Sequence, residues 1–143
     1  MSMDAAKKIL TSFWILGAVI LIAIFILQHM GGRFGNQQKE AWAWFLPNIT
    51  PTLLLMIGAF IADAPSGNGQ AKRVDKFMLL VVLSLSLFYL IALFTTILLN
   101  PIAHTYNPDR GYLELLQQSG LYLGPIHGLV SAALGAFFIK QKT

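Results

Sequence analysis

The chain has 143 residues, 56% hydrophobic and only 11% charged, with a formal charge of +4 and no cysteine; its mean hydropathy is +0.65. Soluble domains carry roughly a quarter charged residues, so the composition excludes one, and the missing cysteines exclude disulfides, thiol redox chemistry and iron–sulfur ligation. The positive balance calls for no nucleic-acid partner, because topogenic signalling and contact with anionic lipid head groups account for it.

In chain order, charge-free stretches run from Ile9 to His29, Ala41 to Ala62, Phe77 to Tyr106 and Leu115 to Ile139. Each reaches the roughly 20 residues that a spanning helix needs. They predict an all-α integral membrane four-helix bundle, one domain over residues 1–143, with transmembrane helices at Ile9–Gln28, Ile49–Ala62 extended back towards Trp44, Phe77–Leu99 and Leu121–Ile139. The first apolar run is too long for a signal-peptide core and no A-x-A-like site follows, so a retained helix is expected. Lys7, Lys8, Lys72, Arg73, Lys76, Lys140 and Lys142 fall on one side, and Arg33, Lys39 and Arg110 on the other. The positive-inside rule then places both termini of this multi-pass chain in the cytoplasm.

The two outer connections carry helix signals. Trp42, Phe45 and Leu46 lie at helical spacing in Gln37–Leu46 before Pro47, after a Gly31-Gly32-Arg33-Phe34-Gly35 hinge. In the other connection Asn107 is suited to cap, and Pro108 to open, a helix over Asp109–Ser119 with Leu113 and Leu116 on one face and Gly120 as terminator. Both segments read as short helices on the outer interface, with Trp42, Trp44 and Tyr112 as interfacial anchors. Sliding the chain by 77 residues superimposes Leu46 on Leu123, Ile49 on Ile126, Gly58 on Gly135, Ala59 on Ala136 and Phe60 on Phe137. Together with the matching order of basic end, span, polar outer segment and second span, this points to a parallel duplication of two hairpins, with half-repeats of approximately 5–64 and 73–140.

The last span carries a ridge of small residues four positions apart, Gly120, Gly124, Gly128, Ala132 and Ala136, flanked by Ser131 and Gly135. Lipid tails are as apolar as leucine, so helices in membranes associate through close van der Waals contact at such residues. The ridge suits packing against the other three helices within one bundle, the reading preferred from sequence. It also suits oligomerisation between subunits, where the pattern resembles the glycine zippers of oligomeric channels.

His29 and His104 leave the outer ends of the first and third spans, and interfacial solvation is the expectation for both. His127 flanks the ridge with Ser131 and should face protein, which makes it a candidate for pH sensing or ligand binding. No metal site is expected, since no histidine pair has ligand spacing along one helix. Ser84, Ser86 and Tyr89 share no tight stripe and suggest back-bonding and interhelical bonds. Asp63 reads as a cap or an ion-pair partner at the inner end, and Gly67-Asn68-Gly69 as a turn.

No P-loop, H-E-x-x-H, G-x-S-x-G or paired-carboxylate arrangement can be assembled, so no catalytic residue, no enzyme activity and no cofactor are expected. The functional expectation is a homo-oligomeric pore or membrane-perturbing protein assembled through the last helix. One alternative is an accessory or scaffold subunit that binds a partner membrane protein through the same ridge. Another is a small haem- or metal-binding subunit using His127 with His29 or His104. The expected partners are the lipid bilayer and a second copy or another membrane protein.

Overall fold

The computed structural model describes residues 2–62 and 74–139. The expectations for Asp63, the Gly67-Asn68-Gly69 turn and the basic residues Lys72, Arg73, Lys140 and Lys142 lie outside the described residues. Within them the chain is helical: α1 (Met3–Met30), α2 (Gln38–Phe45), α3 (Thr50–Ala62), α4 (Lys76–Tyr106), α5 (Tyr112–Gln118) and α6 (Gly120–Ile139). Four helical segments are long and apolar enough to cross a membrane: Met3–Met30, Gly35–Ala59, Lys76–Tyr106 and Gly120–Phe138.

The second of these is a broken helix. At 1.5 Å per residue, α3 alone reaches only about 20 Å, short of the roughly 30 Å hydrocarbon core. The crossing is completed by the 3-10 turn Leu46–Asn48 and by α2. The break has a chemical cause, because Pro47 and Pro51 lack the N–H that continuous α-helix would require of them. The short helix expected over Gln37–Leu46 is present as α2. It presses its aromatic face on the C-terminal turns of α1, with Phe45 stacked on Phe25 at 4.4 Å and Trp42 edge-on to the same ring at 4.9 Å. Gly32 (φ 72°) and Gly35 (φ 50°) make the preceding hinge possible, since both sit in the left-handed region that side chains disfavour.

In the second half, α5 starts three residues later than expected. Asn107 caps the end of α4, its N–H bonding the Ala103 carbonyl at 3.0 Å, and extended Gly111 precedes α5. Gly120 terminates nothing; Ser119 closes α5 and Gly120 is the first residue of α6. The third span also runs past the expected end at Leu99, through Pro101 to Tyr106. A proline inside a helix leaves the carbonyl four residues earlier without its donor. Here Gln28 of α1 supplies one, its amide nitrogen donating to the Ile97 carbonyl at 2.9 Å.

Helices α1 and α4 share six steps of one burial pattern, with Ala6 on the first and Tyr89 and Asn100 on the second buried outside it. Lys7, Leu10, Trp14, Ala18, Leu21 and Phe25 are buried on the first, and Leu79, Val82, Ser86, Leu90, Leu93 and Ile97 on the second. Adding 72 to each number of the first set gives the second. The two helices meet along these faces: a Cβ on Gly17 would stand 2.8 Å from Leu90 Cδ1, Gln28 reaches Ile97, and the Trp14 and Tyr89 rings lie 6.0 Å apart. The cycle of packing closes through α4 on α6, α6 on α3 and α3 on α1.

Replacing a side chain in this register should cost far more than replacing its lipid-facing neighbour. Phe25→Ala is expected to lower stability by roughly 3–5 kcal/mol. Leu16→Ala, at a side chain 62% exposed, should stay within about 0.5 kcal/mol. Reversible unfolding in mixed micelles measures both.

Candidate functional site

The helix break positions a polar cluster among apolar helices. With the α-helical ladder interrupted at Leu46–Ile49, the Asn48 carbonyl is free to accept from the Tyr89 hydroxyl at 2.7 Å. The Asn48 side chain stands 3.2 Å from the same hydroxyl and spends its amide nitrogen on the Trp44 carbonyl at 2.6 Å. One turn into α3, Thr52 Oγ1 lies 3.1 Å from Nε2 of His127. The His127 ring lies nearly parallel to that of Tyr89, centroids 5.0 Å apart and planes 15° apart. Asn48, Thr52, Tyr89 and His127 therefore join the broken span to α4 and α6.

The sequence expectation that His127 faces protein agrees with this geometry, since the ring is half-buried and Thr52 is only 2% exposed. The partners were harder to foresee. Asn48 looked like one residue of a proline-flanked turn, and Tyr89 shares no polar stripe with Ser84 and Ser86. The available signal was the pair Pro47 and Pro51 within a span, which marks freed carbonyls that require donors from elsewhere. Back-bonding occurs at Thr96, whose hydroxyl donates to the Ala92 carbonyl at 2.8 Å and therefore accepts from Tyr122 at 2.6 Å. Ser86 Oγ, by contrast, is buried with no partner.

The ridge lies on the other face of α6. Gly120, Gly124, Gly128, Ala132 and Ala136 are all exposed, while Leu123, Val130, Leu134 and Phe137 are buried. A Cβ built on Gly120, Gly124, Gly128 or Gly135 would meet nothing within 4 Å. Packing inside the bundle, the reading preferred from sequence, would bury the ridge residues, and among the described residues they are exposed. The large side chains of α6 fill the space against α4, which turns the small ones outward. Ser131 and Gly135 are half-buried at the boundary between the two faces.

The remaining histidines do not converge with His127. His29 Nδ1 accepts from the Trp42 indole at 3.3 Å, and His104 Nδ1 donates to the Arg110 carbonyl at 2.7 Å. Among the described residues no group of three or more His, Cys, Asp or Glu could hold a metal ion. The expected anchors are engaged with protein: Trp42 with His29 and Phe25, Trp44 through its carbonyl, and Tyr112 between the His104 ring at 4.1 Å and the Arg33 guanidinium at 5.3 Å.

Compared with models of known protein families, with curated proteins and with solved structures, the chain matches none. The polar cluster is therefore tested through its own chemistry. A double-mutant cycle on Thr52→Val and His127→Phe should return a coupling of about 0.6 kcal/mol, typical of hydrogen bonds between membrane helices. A cycle on Leu16→Ala and His127→Phe should return none.

Proposed function

We propose that the chain is a multi-pass membrane protein that self-associates through the outward ridge of α6 into a homo-oligomeric, pore-type assembly. The observation that carries this reading is the open face itself. Four glycines of α6 have no heavy atom within 4 Å of a Cβ position, and Ala132 and Ala136 extend the same smooth face. In lipid, such a face lets a second backbone approach closely, which is how membrane helices gain attraction from one another. Among the described residues the glycines of this face meet no other helix, so the close approach is left for another chain. A partner membrane protein in place of a second copy is the competing occupant, and the same experiment separates the two.

The proposed orientation keeps both termini cytoplasmic, supported by the distribution of Lys and Arg. The proposed duplication is supported by the constant offset of 72 between the buried positions of α1 and α4. It is supported further by the order long helix, short helix, second span in each half. Under this reading the two halves have diverged: the second crossing needs α2 to complete it, whereas α6 spans by itself and carries the ridge.

Native mass spectrometry of the chain released from nanodiscs should show one symmetric multimer, and Gly128→Leu should shift it to monomer without loss of helicity. A monomeric wild type would overturn self-assembly and favour the partner-subunit reading. Because the chain has no cysteine, orientation can be read from single substitutions. Pro108→Cys should react with an impermeant maleimide applied outside intact cells, and Ser2→Cys should react only after permeabilisation.

A further inference from the structure

Two side-chain amides near the C-terminal ends of α1 and α4, a half-buried one and a buried one, are left with the same unmet need. Gln28 gives its amide nitrogen to the Ile97 carbonyl at 2.9 Å. Asn100 gives its own to the Tyr112 carbonyl at 3.0 Å. Each donation fixes which way the amide points, because flipping it would set oxygen against oxygen. What remains is Gln28 Oε1 and Asn100 Oδ1, both buried and neither with a hydrogen-bond donor. Asn100 is only 3% exposed. Gln28 sits on the Ile97 carbonyl, one turn before Asn100 on α4, so both amides serve the same stretch of that helix.

Two acceptors with no donor call for something electropositive. We propose that Gln28 Oε1 and Asn100 Oδ1 are ligands of a bound monovalent cation, Na⁺ or K⁺. The donor set selects that class. Hard divalent ions are held by carboxylates and transition metals by imidazole or thiolate, whereas neutral carbonyl oxygens are what strips an alkali ion of its hydration. The Ile97 carbonyl, which Pro101 leaves without its helical donor and which accepts from Gln28, has a second lone pair for the same ion. Asn100 also borders an open groove of about 350 Å³ lined by Thr95, Thr96, Ala103 and Tyr122 among others. That groove gives the ion and its remaining water ligands a route in. The site needs only one protomer, so it stands whether or not the chain self-associates.

The test is thermal unfolding of the purified full chain in sodium, potassium or choline chloride at constant ionic strength. Na⁺ or K⁺ should raise the midpoint saturably and choline should not. Gln28→Met and Asn100→Leu should each abolish the dependence on the cation, whatever they do to the midpoint itself. Equal wild-type midpoints in all three salts would mean that water alone meets these oxygens, and would overturn the proposal. So would a cation dependence that survives both substitutions. If neither variant folds, the wild type still answers by ²³Na resonance broadening. Broadening that K⁺ reverses and choline does not is expected; none at all would overturn the site.

Discussion

Inside hydrocarbon every backbone polar group that the chain frees must be met by the protein itself, and the prolines of this chain free several. Pro101 strands the Ile97 carbonyl in the middle of α4, and Gln28 answers from α1. The interruption at Pro47 and Pro51 exposes the Asn48 and Trp44 carbonyls, answered by Tyr89 from α4 and by the Asn48 amide. The donors of the first two come from other helices. A local backbone defect has thereby become a tertiary instruction: the register of α1 on α4, and of the broken span on α4, is set where a carbonyl would otherwise stand alone.

Packing follows the same register. Gly17 lets Leu90 approach, and the Trp14 ring packs beside that of Tyr89 at 6.0 Å. Helix α6 divides its faces sharply, with Leu123, Val130, Leu134 and Phe137 inward and the small residues outward. A helix that used its small residues to approach α4 would have to send those four large ones into lipid. The arrangement adopted buries the large groups and leaves the smooth surface for lipid or for another chain.

Much of the architecture was legible from residues. The four apolar stretches gave the four candidate crossings, because length and hydropathy are what a bilayer selects. His127 was placed towards protein by helical spacing alone. Three features were not legible, each for a physical reason. The inner or outer direction of the ridge depends on which face of α6 has the bulk to fill the gap beside α4, and small-residue spacing carries no information on that. The start of α5 turned on whether Asn107 ended one helix or began the next, and the residue is suited to both. The partnerships of Gln28, Asn48 and Tyr89 join positions 41 and 69 residues apart, beyond any local pattern.

The offset of 72 residues between α1 and α4 also sets a clock. At a synthesis rate of roughly 5–20 residues per second, about 4–14 s separate the emergence of a residue of α1 from that of its counterpart. For that interval the Trp14 indole and the Gln28 amide must wait in the membrane, or at its insertion machinery, without the surface that receives them. Helix α1 is equipped to wait, with a mean hydropathy of 2.7 against 1.2 for the broken second span. The second span arrives in the meantime and lays its aromatic residues on Phe25. The order of the elements along the chain thus doubles as an order of assembly, in which the least apolar span inserts against a helix already in place.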